Sequence, residues 1–307
     1  PICDLVLKYR ELAKISSTYI DALPRMKAGD GRVHTTFNET VTTTGRLSSS
    51  DPNLQNIPVR TDFGRHIREC FVPLAEGEKF LGADYSQIEL RLLAHLSGDE
   101  HLVAAFNSGA DFHAATASHV FGIPVDEVTP QLRSRAKAVN FGIVYGQQAY
   151  GLAQSLGIPY PEAKEMIERY FEAYPGVRAY LDSTVEQARE TGYALTMFGR
   201  KRHVPDIRSK NSATRGFGER TAMNHPMQGS AADIIKLAMS EVQRRLLSEG
   251  FEAKLLLQVH DELDFSVPET EIERLSAMVR EVMEGVVELK VPLVVDVTWG
   301  DNWAKAH

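Results

Sequence analysis

The sequence predicts an α/β protein of the α+β type, in which a mainly antiparallel sheet with its helices carries a helical lobe inserted between the two sheet-forming segments. Two observations predict this fold. β-favouring runs lie on both sides of the chain, at 79–85 and then at 252–267 and 293–298. The stretch between them, 98–212, has mostly helical periodicity. The length of 307 residues also favours more than one lobe, since single cores stop growing near ~250–300 residues.

The individual elements follow from periodicity and turn chemistry. Residues 31–60 are rich in Thr, Ser, Asn, Gly and Pro, which predicts short strands and turns. The strand at 79–85 passes into a helix over Gln87–Ser97, with Gly98 as its stop. Further helices are predicted over His113–Phe121, Pro130–Tyr145, Tyr150–Leu156, Tyr160–Gly192 with a break near Pro175–Gly176, and Met227–Glu249. The chain closes with two β-runs over Glu252–Val267 that meet near His260–Asp261, a helix over Glu271–Val287 and a strand over Leu293–Thr298.

The charge distribution separates two parts of the chain. With Lys+Arg 34, Asp+Glu 41 and a net charge of −7, the whole sequence argues against nucleic-acid binding. From Asp261 onward, however, the chain has eleven acidic and only four basic residues. Residues 1–260 therefore hold 30 acidic and 30 basic residues. Within that neutral part, residues 199–220 hold seven basic and two acidic residues. Such a stripe can follow a phosphate backbone, or it can be a solvated loop.

The location of the protein is predicted from absent signals. The sequence has no run of 18 or more apolar residues and no signal-peptide order at its N-terminus. Cys3 and Cys70 stand far apart and without metal-ligand spacing. We therefore expect a cytoplasmic protein with no membrane partner.

Acidic residues stand at two predicted strand ends. Asp84 lies where a strand passes into a helix, and Asp261 and Glu262 lie at a hairpin turn. Both positions have an ordinary structural interpretation: Asp84 suits a helix N-cap, and Asp261 and Glu262 suit a turn. Carboxylates at the ends of strands in one sheet can also converge and hold two Mg²⁺ ions ~3.5–4 Å apart for phosphoryl transfer.

A helix over Thr129–Gly146 carries an unusual stripe. Thr129 suits the N-cap and Pro130 the first turn, and the residues spaced by four from there are Arg133, Lys137, Phe141 and Tyr145. The two cations can hold a triphosphate while the two rings lie against a sugar and base. An amphipathic helix with snorkelling cations is the alternative.

Five motifs of the sequence resemble those in the C-terminal polymerase region of the family A DNA polymerases. DYSQIELR (84–91) is similar to the first catalytic motif, RSRAKAVNFGIVYG (133–146) to the fingers-helix motif, and QVHDEL (258–263) to the second catalytic motif. TGRLSSSDPNLQNIPVRT (44–61) and NHPMQGSAAD (224–233) match further signatures. The resemblance runs from Tyr9 to His307. It implies palm segments at 1–96, with the base of a thumb, and at 213–307, and fingers at 97–212.

The resemblance implies the catalytic residues. Asp84 and Asp261 would be metal-binding carboxylates, the backbone carbonyl of Tyr85 would be a further ligand, and Glu262 would be a supporting acid. Lys137 would donate a proton to the departing pyrophosphate. The implied cofactors are two Mg²⁺ ions, with Mn²⁺ as a possible substitute.

The resemblance also implies the substrate contacts. His113, Arg133 and Lys137 would hold the triphosphate of a dNTP. Glu89 would exclude a ribose 2′-OH, Phe141 would stack on sugar and base and imply rejection of dideoxynucleotides, and Tyr145 would guard the template position. Primer–template DNA would be contacted by Arg46, Arg220, Asn224, Gln228 and His260.

The expected function is template-directed addition of dNTPs to a primer 3′-OH by a monomer. Two alternatives are an RNA-templated polymerase or nuclease with the same carboxylates, and a DNA-binding module that is inert without a thumb. In the family a thumb and exonuclease domains precede this region, and we expect palm and fingers alone, with weak, salt-sensitive duplex binding. Departures from the family pattern are Gln147–Gln148, His225 and Asp264, which replaces an apolar residue and is expected on the solvent or metal side of the sheet.

Overall fold

The computed structural model describes residues 2–59 and 61–307, and its packing divides the chain into two compact units. The first unit consists of Pro1–Tyr85, Ile235–Met283 and Val295–His307. The second consists of Ser86–Ile234 and Glu284–Val294. A helical unit is therefore inserted between the segments that form the sheet, as the sequence predicts.

The first unit is built on a four-stranded antiparallel sheet. Its strands are β3 (Glu78–Tyr85), β6 (Lys254–Val259), β7 (Glu262–Pro268) and β8 (Val295–Gly300), in the order β6-β7-β3-β8. The unit also contains helices α1 (Ile2–Ile15) and α2 (Asp62–Glu69), all but the last two residues of α11 (Ile272–Gly285), and a two-stranded sheet of β1 (Thr36–Asn38) and β2 (Ser48–Ser50). This confirms the α+β class and the antiparallel pairing.

Residues alternate between the two faces of the central strand β3, as the pleat requires. Leu81, Ala83 and Tyr85 occupy one face and are buried, with the Tyr85 hydroxyl donating to the carbonyl of Met283 at 2.6 Å. Phe80, Gly82 and Asp84 occupy the other face. The sheet therefore has a closed apolar face and a second face that carries its charge.

The charged face is covered at one end by aromatic packing. The Trp303 ring is fully buried, stacks on Phe80 at 5.9 Å between ring centroids and meets Phe71 edge-on at 5.4 Å. The guanidinium of Arg68, from α2, lies 4.3 Å from the centroid of the Trp303 ring. This packing buries the Phe80 end of the strand, whereas Asp84 at the other end keeps an exposed surface.

The second unit is mainly helical, and its helices begin and end at caps that the sequence supplies. Asp99, Asp111 and Thr129 accept backbone N–H bonds at the starts of three helices, and Gly98, Gly122, Gly157 and Gly192 end four helices in the left-handed conformation. The helices wholly within this unit are α3 (Ile88–Ser97), α4 (Glu100–Asn107), α5 (Phe112–Phe121), α6 (Pro130–Val144), α7 (Ala149–Leu156), α8 (Tyr160–Ala173) and α9 (Pro175–Thr191). Strands β4 (Tyr193–Leu195) and β5 (Lys201–His203) form a hairpin, and α10 (Ser212–Ser248) contributes to both units.

Two expectations about the elements are wrong. Asp84 lies inside β3, and Gln87, with a φ of 56°, occupies the N-cap of α3, so the N-cap interpretation of Asp84 fails. Helix α10 starts at Ser212 and continues through Pro226 instead of starting at Met227. Buried residues on both sides of the proline, including Ala222 and Met227, offset the hydrogen bond that proline removes. The β4–β5 hairpin and helices α1, α2 and α4 were not predicted.

The unit boundaries by packing fall at Tyr85/Ser86 and Ile234/Ile235, and Glu284–Val294 packs with the helical unit. The predicted palm and fingers bounds at 96/97 and 212/213 are functional divisions, which packing does not test, and they stay a prediction. Across the part of the chain that the structure describes, no helix has both the length and the apolarity to cross a membrane. Cys3 and Cys70 are both exposed and unbridged.

The charged face needs a glycine at position 82. A Cβ there would lie 2.6 Å from the carbonyl oxygen of Ala306 and 2.7 Å from Glu262 Oε1, closer than real contacts allow. Gly82→Ala should lower the free energy of unfolding by roughly 1–3 kcal/mol, measured by urea titration. Gly29→Ala, where a Cβ meets nothing within 4 Å, is the matched control. Equal stability of the two variants would show that Ala306 and Glu262 do not crowd this position.

Candidate active site

Three carboxylates stand in line across the charged face of the sheet. The antiparallel register places Asp84 of β3 directly opposite Glu262 of β7 on one side and Asp296 of β8 on the other. Residues paired in this way have Cβ atoms ~4.5–5.5 Å apart, and like charges so placed repel each other. We call Glu262, Asp84 and Asp296 the carboxylate row. Asp296 was not predicted as a site residue, although an acidic residue inside the apolar run VVDV (294–297) was a signal.

Asp261 reaches the same end of the sheet through the β6–β7 turn. The turn depends on His260, which adopts a left-handed φ of 55°. The backbone N–H of Tyr85 donates to the carbonyl of Asp261 at 3.2 Å, which fixes Asp261 beside the end of β3. Arg46 Nη2 lies 3.4 Å from Asp261 Oδ1, in an ion pair that is largely shielded from solvent. The structure thus brings Asp84, Tyr85, Asp261, Glu262, His260 and Arg46 together within the first unit.

The surroundings of Asp84 and Asp261 disfavour negative charge on these two carboxyl groups. Burial by the surrounding protein, then repulsion from Glu262 and Asp261, raises the pKa of Asp84 to about 7. Burial also raises the pKa of Asp261, while Arg46 opposes that increase. Asp84 nevertheless keeps a solvent-exposed surface, so water screens part of this effect. A cation beside Asp84 and Asp261 would relieve the repulsion.

The donor atoms of this site suit a hard cation. They are carboxylate and carbonyl oxygens, which Mg²⁺ and Mn²⁺ prefer. Within residues 2–59 and 61–307, no group of three or more His, Cys, Asp or Glu side chains converges closely enough to hold a metal by itself. Mg²⁺ is commonly bound by one or two carboxylates together with water and substrate phosphates. The residues therefore fit a cation that is completed by a phosphate substrate.

A second polar layer lies deeper on the same face. Asp264 is opposite Gly82 in the register, on the same face as Asp84, and has no exposed surface. Its expected position on the solvent side is therefore wrong, and a position on the metal side stays a prediction. Burial and the neighbouring Glu262 raise the pKa of Asp264, and Arg68 counteracts this. His307 Nδ1 lies 3.1 Å from Glu262 Oε1, and this hydrogen bond raises the pKa of His307. No sequence pattern pointed to Arg68 or His307.

In the second unit, the predicted stripe on α6 starts with exposed side chains and continues with a half-buried one. Arg133 and Lys137 are exposed, and Phe141 is half-buried. Arg133 Nε is paired with Asp111 Oδ2 at 2.5 Å, and Lys137 Nζ lies 6.0 Å from the centroid of the Phe141 ring. Tyr145 is the C-cap of α6 and is exposed. The helix presents two cations and then two rings, as the spacing predicts.

His113 lies beside this stripe, at the start of α5. Its ring is 6.0 Å from that of Phe141 between centroids, and its side chain is almost fully buried. Burial, followed by the positive charges of Arg133 and Lys137, lowers the pKa of His113 to about 4. The imidazole is therefore neutral at physiological pH.

Helix α10 brings two of the other predicted residues to the end of α6. Asn224 Nδ2 donates to the carbonyl of Val144 at 3.5 Å, and Arg220 packs so closely that a Cβ at Gly146 would lie 3.0 Å from Arg220 Cγ. Gln228 is one turn further along α10 and is half-buried. Glu89 lies in the first turn of α3 and is 5% exposed.

Several arginines of the basic stripe at 199–220 form hydrogen bonds within the protein. Arg200 donates to Asp233 Oδ1 through Nε at 2.9 Å and Nη2 at 2.6 Å. Arg208 donates to the carbonyls of Arg189 and Glu190 at the end of α9, at 2.7 and 2.8 Å. Arg215 Nη1 donates to the carbonyl of Ser209 at 3.2 Å. These three arginines stabilise local structure, so they add less to a surface for phosphates than the sequence indicated.

The buried Asp264 and the exposed Asp301 should have opposite effects on stability. A raised pKa means that folded Asp264 holds its proton when the unfolded chain has lost it, so stability falls as pH rises from about 4 through the raised pKa. Asp264→Asn should therefore raise the melting temperature at pH 8, by roughly 2 °C or more, and much less at pH 4. Calorimetry at both pH values in a chelator measures this difference.

Asp301 is the control for that measurement. Ion pairs with Lys305 and Lys79 lower its pKa to about 2, so its contribution is fully present at neutral pH and is lost only as pH falls through that value. Asp301→Asn should lower the melting temperature at pH 8. A lower melting temperature for Asp264→Asn as well would contradict the account of the buried carboxyl.

Comparison with known proteins places the chain among curated and solved relatives. It is 51% identical over 307 residues to DNA polymerase I of Streptococcus pneumoniae serotype 4 and 54% identical over 307 residues to the thermostable DNA polymerase I of Thermus filiformis. All of this chain is covered in both, but it spans only 35% and 36% of those proteins. A solved POL domain of Pol1 from M. smegmatis, in complex with DNA primer-template and dNTP, matches 98% of this chain at 51% identity with a TM-score of 0.93, and 53% of that chain is covered.

The family model agrees with these relatives and with the motifs. The model of DNA polymerase family A matches residues 1–305, which is nearly the whole chain. Its match includes the strand end with Asp84, the β6–β7 turn with Asp261 and the α6 stripe. The chain belongs to DNA polymerase family A.

Proposed function

We propose that this chain is a template-directed DNA polymerase region that adds dNTPs to a primer 3′-OH. The observation that carries the proposal is the set of crowded carboxylates at the strand ends of the first unit, where a cation would relieve the repulsion around Asp84. The cation-and-ring stripe of α6 in the second unit supports it. So does the solved Pol1 relative, which is described with DNA primer-template and dNTP bound.

Asp84, Asp261 and the carbonyl of Tyr85 would hold two Mg²⁺ ions, for which Mn²⁺ can substitute. Bound there, such ions supply a lowered pKa for the primer hydroxyl and charge neutralisation for the departing pyrophosphate. Glu262 supports these ligands from the opposite strand, where its own carboxylate is held by His307. Arg46 and His260 contact the primer–template beside Asp261.

The triphosphate would be held by Arg133, Lys137 and His113. Arg133 exchanges its surface partner Asp111 for phosphate oxygens, which its planar guanidinium can bind in pairs. Lys137 is exposed and, like any lysine, carries its ammonium on a flexible four-carbon stem, which suits a group that donates a proton to pyrophosphate as the bond breaks. Because His113 is neutral, it contributes a hydrogen bond rather than a charge.

The sugar, base and template would be read by the remaining residues. Phe141 stacks on the nucleotide, Glu89 excludes a 2′-OH, and Tyr145 guards the template position. Arg220, Asn224 and Gln228 of α10 contact the primer–template near the new base pair, and two of them pack at the end of α6. Action as a monomer in the cytoplasm stays a prediction.

Asp84→Asn separates catalysis from folding. The variant should lower the rate of Mg²⁺-dependent primer extension by at least roughly a hundredfold, since it removes a preorganised charge. Without metal and above about pH 7 it should melt at a higher temperature than wild type, since it removes a carboxylate whose burial and repulsion by Glu262 and Asp261 raise the pKa of Asp84 to about 7. Single-turnover extension and calorimetry measure the two effects.

The control for this experiment is Asp182→Asn, which removes a surface carboxylate that pairs with Arg178 on the same helix. It should leave extension unchanged. Near-normal extension by Asp84→Asn would refute the metal-ligand role.

Glu89 tests sugar selection by size. If the carboxylate side chain blocks a 2′-OH sterically, Glu89→Ala should increase ribonucleotide incorporation at least tenfold, by about the 1.4 kcal/mol that a modest clash costs. Glu89→Gln keeps the volume and should retain most of the discrimination. The ratio of kcat/KM for dNTP and rNTP is the measurement, and equal selectivity in all three proteins would remove Glu89 from this role.

A further inference from the structure

The backbone and ring of His113 are held in place by separate contacts. Asp111 caps α5 and accepts hydrogen bonds from the backbone N–H groups of His113 and Ala114, at 3.0 and 3.1 Å. The His113 side chain is 2% exposed and lies against the Phe141 ring. The position of the imidazole is thus determined by packing, which leaves open which of its nitrogens carries the proton.

Asn140 of α6 is the hydrogen-bond partner of that ring. Its amide nitrogen Nδ2 lies 2.9 Å from His113 Nδ1, and the Asn140 side chain has no exposed surface. The hydroxyl of Thr116, which is also fully buried, lies 3.0 Å from the carbonyl oxygen of Phe112 and 3.2 Å from Asn140 Oδ1, so these two oxygens share its single proton. With Oδ1 towards Thr116, the NH₂ group of the amide faces the imidazole.

We propose that Asn140 is a positioning residue that fixes the tautomer of His113. By donating to Nδ1, it keeps the proton on Nε2, and Nε2–H is then the donor that His113 offers to an oxygen of the triphosphate. The inference rests on the proposed function, since it assigns that ligand to His113. No described residue other than Asn140 makes a side-chain hydrogen bond with the His113 ring.

The tautomer matters because the ring is neutral. Arg133 and Lys137 on α6 and Asp111 at the start of α5 are the charged groups that face His113, and burial with the two cations lowers its pKa to about 4. A neutral imidazole has one donor and one acceptor nitrogen. In the wrong tautomer it would present a lone pair to an anionic oxygen and repel it.

The first test is nitrogen-15 NMR of the nucleotide-free chain with labelled histidine and asparagine, with His113 assigned by comparison with His113→Ala. Wild type should show an acceptor-type Nδ1, a protonated Nε2 and a scalar coupling across the Asn140 N–H···N bond. Asn140→Leu, of similar volume, should lose the coupling. A proton on Nδ1 in wild type would overturn the proposal, and that result does not depend on how well any variant folds.

The second test is a double-mutant cycle in primer extension. Asn140→Leu should raise the KM for dNTP about tenfold, by the worth of one hydrogen bond, with kcat within about twofold. In a His113→Ala background the same change should have little further effect. Thr116→Val, which leaves the amide in place, should give a smaller increase in KM. An equal penalty with and without His113 would show that Asn140 acts only through packing.

The two tests separate the inference from the function on which it rests. If His113→Ala leaves the KM for dNTP unchanged, the proposed role of His113 in triphosphate binding is wrong. The NMR coupling would still report the Asn140–His113 hydrogen bond in that case.

Discussion

Repulsion among carboxylates is the constraint on which the rest of this structure depends. The antiparallel register places Asp84 between Glu262 and Asp296, so carboxyl groups stand opposite one another on neighbouring strands. Like charges in such positions destabilise a sheet. The first unit tolerates it because the rest of the sheet is strongly packed, with Leu81, Ala83 and Phe265 fully buried. The charged face is also supported by Arg68, His307 and Arg46. Stability is lost locally where a cation and a phosphate substrate are expected to restore it.

The second unit carries exposed positive charge on one of its helices. Arg133 and Lys137 project from α6, while His113 beside them is kept neutral by burial and by those two cations. Charged groups that remain exposed can change partners, as Arg133 would when it leaves Asp111. Buried polar groups cannot, and so Asn140, Thr116 and His113 form a fixed hydrogen-bonded set behind the exposed cations. This part of the second unit therefore combines exposed cations that can exchange partners with a buried hydrogen-bonded set that cannot.

Much of the fold, and the positions of several residues of the candidate site, could be predicted from the sequence. The strand before Asp84, the turn before Glu262 and the α6 stripe each follow from local patterns, and the motifs connected them. Asp296, His307 and Arg68 could not be found in this way, because their positions depend on strand register and on packing between distant segments. Asp264 was expected on the solvent or metal side of the sheet, but it is fully buried, and this burial depends on Gly82 opposite it and on the packing around Trp303. Asn140 could not be predicted for a similar reason. The sequence around a buried amide in a helix does not show whether its side chain hydrogen-bonds to His113 or only fills space.

The most direct test of this account is single-turnover primer extension with this chain in excess over primer–template at low salt, with duplex binding followed in parallel by fluorescence anisotropy. We expect addition of one complementary nucleotide, dependent on a divalent cation and lost on chelation. A folded chain that binds primer–template but adds no nucleotide at any metal concentration would contradict it.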